Sequence, residues 1–235
     1  MATTLNKQKV VNHLFTALAK QVKDAEDVPA RPVLEQFIYA VCREGTTRTQ
    51  ADLAFQALQT RFFDWNEIRV SSPEELSEAL EGLMPEPVKR AQRIIDFLQE
   101  VFETTFAFDL EGLQKKGLKL AAKQLARYQA ANDYAVAWVT QQSLGGHAIP
   151  LDNVTLRVLR RLHLIEDGVS NLDTIRASLE HQVPKVKGSL FVDLISSLGQ
   201  EHCHETRPAC PSCPLKPHCP TGQSARGHGA SKKPR

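Results

Sequence analysis

His202–Pro220 reads HCHETRPACPSCPLKPHCP and holds four of the chain's five cysteines, Cys203, Cys210, Cys213 and Cys219, in the pattern C-x6-C-x2-C-x5-C. Five cysteines in an intracellular chain argue against a disulfide framework, so the crowding needs another chemical reason. Thiolates are soft ligands for zinc or an iron-sulfur cluster, and the prolines between them stiffen a short loop on which four sulfurs can converge. Structural zinc sites usually pair two C-x2-C knuckles across a longer spacer. Here one knuckle is wrapped by unequal arms, which suits a larger cuboidal cluster. Spacing by itself leaves zinc open, with catalytic redox chemistry third. Cys42, in the apolar run FIYAVC, reads instead as a small buried hydrophobe.

Outward from that loop, apolar residues recur at three- and four-residue spacings and no alternating β-branched run interrupts them, so the fold class is all-α. The pattern predicts helices over 5–22, 32–43, 47–62, 73–81, 87–103, 109–127, 133–143, 152–163, 171–181 and 186–199. Turn chemistry sets the breaks: Pro29 and Pro32 flank the second helix start, Ser72-Pro73-Glu74 is an N-terminus signature, and Gly145-Gly146 ends a helix before the extended HAIPLD. Asp152 then stands where a helix N-cap belongs. The helices share no repeated pattern, which argues against a solenoid. From residue 221 onward the residues are Gly, Ser, Lys, Arg and His without large apolar side chains, which predicts a disordered basic tail over 221–235.

The chain has 235 residues, 42% of them apolar and 24% charged, enough for one large domain or two small lobes. No apolar window is long enough to span a membrane, and MATTLNKQKVVNHL lacks the apolar block of a signal peptide. A cytoplasmic monomer without membrane attachment is expected, nucleoid-associated if the source is prokaryotic. A net charge of +2 makes no global case for a nucleic-acid partner. Local clusters carry that case: Lys115, Lys116, Lys119 and Lys123; Arg157, Arg160 and Arg161; and Arg226, Lys232, Lys233 and Arg235. Each also reads as an ordinary solvated helix face or chain end.

Together with Arg207-Pro208 before the second cysteine, the cysteine spacing resembles the C-terminal cluster loop of the endonuclease III family of base-excision DNA glycosylases, the helix-hairpin-helix superfamily with a catalytic aspartate. GGHAIPLDNVTLRVLRRL, residues 145–162, resembles the same family's extended segment, aspartate and helix. The resemblance implies a two-lobed helical fold with a [4Fe-4S] cluster on the four cysteines. It divides the chain into a helical barrel lobe over 28–147 with a degenerate hairpin, and a cluster lobe made of 1–27 plus 148–220. Double-stranded DNA containing a damaged or mispaired base would lie between the lobes. Asp152 would be the catalytic carboxylate, stabilising the cationic sugar as a flipped base departs. Arg207, Lys216 and His218 would be phosphate contacts of the cluster loop, and the cluster a staple rather than a catalyst.

The hairpin departs from the family pattern. Counted back from Asp152, the family's Leu-Pro-Gly-x-Gly falls on Tyr128-Gln129-Ala130-Ala131-Asn132, and its lyase lysine falls on Tyr134. Ala130, Asn132 and Tyr134 are thus the hairpin's candidate DNA contacts, without the glycines that let backbone N–H groups approach a phosphate. Tyrosine cannot form a Schiff base. A rival register places GLKLA, residues 117–121, at the hairpin with Lys119 as nucleophile, but it needs an insertion before Asp152. At the family's gap-filling glutamine this chain has Gly45. These features point to a monofunctional DNA N-glycosylase. The alternatives are a non-catalytic 4Fe-4S DNA-binding protein of the same fold and a cluster protein for electron transfer or redox sensing. The lesion base is not legible.

Overall fold

The computed structural model describes residues 7–18, 30–166 and 168–224. Among the described residues it is all-helical, and no helix is long and apolar enough to cross a membrane. The chain forms two compact units, one of residues 27–152 and the other of 1–26 with 153–235.

The continuous unit is built on α2 (Val33–Arg43), in which every residue except Glu35 is buried. A helix apolar on nearly all sides must lie inside a bundle. Against it pack α3 (Arg48–Arg61), α6 (Pro87–Thr105) and α8 (Asp133–Gln142); α4 (Trp65–Val70) and α5 (Pro73–Leu80) pack on α6, and α7 (Leu118–Leu125) on α8. Phe37 of α2 stacks on Phe97 of α6 at 3.6 Å between ring centroids, and burial of each ring stabilises the unit by roughly 1.5–3 kcal/mol. Side-chain caps fix two of the helix starts. Thr47 and Gln50 form a reciprocal capping box on α3. Ser72 accepts from the Glu75 N–H, with Pro73 in the first turn of α5.

Two elements differ from the periodicity. The single helix expected over 109–127 is split into a 3-10 stretch, Glu111–Lys116, and α7, because Gly117 takes φ +74° between them. Residues 65–70 form α4, which is too short to show a period; its signal is Asp64, which accepts from the Glu67 N–H as an N-cap.

The other unit contains α1 (Lys7–Leu18), α9 (Asn153–Arg161), α10 (Leu172–Gln182), α11 (Gly188–Glu201) and α12 (Pro220–Ser224). A Cβ built on Gly199 of α11 would lie 2.3 Å from Val154 Cγ1 and 3.2 Å from Val158 Cγ2 of α9. Only glycine allows the two helices that distance. The tail expected to be disordered from residue 221 is still ordered through Ser224, because Cys219 accepts the Gly222 N–H at its sulfur and the Gln223 N–H at its carbonyl. Residues 225–235 of that expectation, with Arg226, Lys232, Lys233 and Arg235, lie outside the described residues.

Candidate functional site

Asp152 is the last residue before α9 and is only 7% exposed. A carboxylate that far from water needs hydrogen-bond donors. The Gly45 N–H supplies one, donating to Asp152 Oδ2 at 2.8 Å. Gly45 lies in the turn between α2 and α3 with φ +72°, a conformation that is costly for a residue with a Cβ. The glycine at the expected gap-filling position is therefore an amide donor to the aspartate, a role its sequence position does not announce.

That turn is clamped from α6 and from the loop before α8. Glu44 accepts from Arg93 Nη1 at 2.6 Å and from Asn132 Nδ2 at 2.8 and 3.0 Å. Arg93 also donates to the Ala130 carbonyl and to Asn132 Oδ1, both at 2.7 Å. Arg90 reaches the carbonyls of Val41, Glu44 and Pro85. Charge-assisted bonds of this kind hold geometry tightly, so the amide facing Asp152 is fixed by residues up to 88 positions apart in the chain.

The connection between α7 and α8, residues 126–132, contains Tyr128–Asn132, and Lys119 lies in α7 before it. The Asn132 side chain accepts from the Ala135 N–H at 2.9 Å and so caps α8. The Gln129 N–H donates to the Glu100 carboxylate at 2.8 and 3.1 Å, and the Ala130 N–H at 3.4 Å. Tyr134 is 2% exposed with its hydroxyl directed at the Arg43 carbonyl, so it offers no side chain at the surface for a DNA contact. It packs beside Trp138 in the core instead.

In the other unit Cys203, Cys210, Cys213 and Cys219 all line one cavity, with Val158, Leu162 and Leu198 as its apolar wall. All four are free thiols of intermediate exposure. Burial pushes the Cys213 and Cys219 thiols above their ordinary range, and Cys203 and Cys210 add to the rise, as expected for sulfurs facing a common space. Among the described residues no three His, Cys, Asp or Glu side chains stand together as a single-ion site.

Two of the arginines grouped as a possible nucleic-acid cluster serve this loop. Arg157 Nε donates to the Cys203 carbonyl at 2.9 Å. Arg161 donates to Cys203 Sγ at 3.3 Å and to the carbonyls of His204 and Glu205 at 2.6 and 2.9 Å. Arg161's own carbonyl accepts from the Thr221 hydroxyl at 3.0 Å. The i,i+4 spacing puts both guanidiniums on one face of α9, but the sequence does not show what that face meets. Arg207 is exposed in the left-handed conformation at φ +53° and Lys216 is half-buried. His218 is stacked on His13 of α1 at 3.6 Å.

No protein-family model and no curated protein sequence matches the chain. Solved structures do. A non-covalent endonuclease III–DNA complex matches with a TM-score of 0.69 at 20% identity, covering 94% of this chain and 99% of that one. The fold is that of endonuclease III. A thermostable thymine-DNA glycosylase matches with a TM-score of 0.64 at 17% identity over 93% of this chain and 97% of that one. The 3-methyladenine DNA glycosylase of H. pylori, bound to 1,N6-ethenoadenine, matches at 0.56 and 14% identity, covering 82% and 93%. The likeness to endonuclease III thus extends over both units rather than over the cysteine loop alone.

Proposed function

We propose that this chain is a monofunctional DNA N-glycosylase that acts on double-stranded DNA carrying a damaged or mispaired base. The observation that carries the reading is Asp152: a buried carboxylate, oriented by the Gly45 amide, immediately before a helix of the endonuclease III fold. A carboxylate so held can stabilise the positive charge that develops on the sugar as the base leaves. The C–N glycosidic bond breaks, water supplies the oxygen of the new C–O bond, and the departing base takes up the water's proton. In the register counted back from Asp152 the lyase lysine is replaced by Tyr134, which is buried and cannot form a Schiff base, and Lys119 lies in α7 before the turn; both support the monofunctional reading.

The four cysteines suit a [4Fe-4S] cluster. They line one cavity, and a single C-x2-C knuckle wrapped by unequal arms suits a cuboidal cluster better than the paired knuckles of a structural zinc site. Cationic Arg161 beside Cys203 and the Gly222 N–H beside Cys219 are the donors that a ring of negative thiolates needs. When bound, the cluster cross-links the loop; the chemistry on DNA belongs to Asp152.

The second reading, a DNA-binding protein without catalysis, is favoured by one observation. The turn lacks its glycines, and the N–H groups of Gln129 and Ala130 are bonded to Glu100. A panel of duplexes, each with one lesion, incubated with cluster-loaded protein and assayed before and after hot alkali, separates the readings. Strand cleavage only after alkali supports the monofunctional glycosylase and identifies its base. Cleavage without alkali refutes the monofunctional assignment. No release from any lesion, with tight salt-sensitive binding, favours the binder.

A further inference from the structure

We propose that the chain grips the DNA backbone through an exposed strip on α7 and the turn after it, formed by Lys119, Lys123 and Arg127, and not through the amides of the hairpin turn. The inference rests on the proposed DNA partner and adds where its phosphates bind. Its first support is that Glu100 already occupies the turn's Gln129 and Ala130 N–H groups. A carboxylate in that position repels a phosphate as well as taking its donors. The open groove beside the turn strengthens the repulsion, since Lys89 and Arg93 there face Asp96, Glu100 and Glu103.

The second support is the charge pattern on α7. From Gly112 to Asn132 the chain has no acidic residue, while Lys115, Lys116, Lys119, Lys123 and Arg127 are all exposed. Lys116 is held by Gln124. Among the described residues, Lys119, Lys123 and Arg127 meet no carboxylate and no hydrogen-bond acceptor. α7 ends at Leu125 and the chain continues in a tight turn, through bonds from Ala126 to Ala122 and from Arg127 to Gln124. Lys119 and Lys123 therefore lie i, i+4 along one side of α7, an advance of about 6 Å, and Arg127 continues the i, i+4 spacing in the turn. One DNA strand presents a phosphate about every 3.4 Å along its axis, so successive cations would match roughly every second phosphate. Leu118 and Leu120 are 45% and 63% exposed among these cations, which makes an anionic lipid surface the competing partner. An eight-residue helix with two exposed leucines offers little to bury in a bilayer interface, and the charge spacing favours the duplex.

The test uses the full chain and an undamaged duplex, with affinity followed by fluorescence anisotropy across a salt series. Each phosphate contact contributes about 0.9 to the slope of log K against log salt. The triple variant Lys119→Gln, Lys123→Gln, Arg127→Gln is expected to lower that slope by roughly 2–3 and to weaken binding at low salt by at least about tenfold. Lys89→Gln, beside the turn, is expected to leave the slope unchanged. If the wild type binds duplex with a steep salt dependence and the triple variant keeps the slope, the strip is refuted and the DNA partner stands. The strip is equally refuted, and the DNA partner again stands, if Lys89→Gln lowers the slope as much as the triple variant does. If the wild type shows no salt-dependent duplex affinity but binds vesicles containing anionic phospholipid, the strip and the DNA partner fall together.

Discussion

Replacing Arg161 by alanine tests whether the basic face of α9 is structural. The side chain donates to Cys203 Sγ and to the carbonyls of His204 and Glu205, so one guanidinium fixes the start of the cysteine loop. Hydrogen bonds from a charged group contribute about 1.5–3 kcal/mol each, less where water competes. The group is partly exposed and its bonds share one side chain, so they do not add in full. About 3 kcal/mol is a reasonable total, which in a chain of this size lowers the melting temperature by roughly 6–12 °C. Arg161→Lys keeps the charge but loses the planar fork that reaches four acceptors, and should recover less than half of the loss. Thermal unfolding followed by circular dichroism gives the shift, and anisotropy against duplex at several salt concentrations gives any DNA effect. If Arg161→Ala melts with the wild type while its salt slope falls by about 1, Arg161 is a phosphate contact and does not hold the loop.

Gly45→Ala forces a Cβ into a left-handed conformation at φ +72°, with ordinary room beside Arg90. It should cost about 1–2 kcal/mol in stability and, by moving the amide from Asp152, slow base release about tenfold, read by thermal melts and single-turnover assays. Gly199→Val meets Val154 at a distance no side chain tolerates and should destabilise by about 1–3 kcal/mol; Val154→Ala in the same chain should recover part of that loss in denaturant titration. Burial pushes the Cys42 thiol from 9.0 up to about 12, so its native labelling by iodoacetamide at pH 8 should be roughly a thousandfold slower than in the unfolded chain. Because this folded value lies above the unfolded one, its contribution is intact below pH 9.0 and is lost as pH rises toward 12. The slope is at most about 1.4 kcal/mol per pH unit, measurable by urea titration above pH 9.0.

The all-helical class is written in the spacing of apolar residues, and Thr47, Ser72 and the glycines at 145 and 146 mark local boundaries where the helices turn. Periodicity misses α4, whose six residues span less than two turns, and runs through Gly117, whose positive φ breaks an otherwise helical pattern. At the site, the extended HAIPLD places Asp152 before a helix, but the partner that orients its carboxylate comes from Gly45, 107 residues away. Glu44, Arg93 and Asn132 are ordinary polar residues in sequence, and their common clamp exists only once α2, α6 and the turn before α8 are packed. The arginines of α9 show the complementary limit. Charge clustering is legible, whereas the identity of what the charges meet, here the backbone of the cysteine loop, is a tertiary fact.

Single-turnover base release by Asp152→Asn, on whichever lesion duplex the wild type processes, tests the central claim most directly. Asparagine keeps an oxygen for the Gly45 amide but removes the negative charge, so the fold and duplex affinity should be preserved while release slows by about 10²–10³. Release at the wild-type rate would show that the carboxylate does not stabilise the departing base's transition state and would contradict the assignment of catalysis to Asp152.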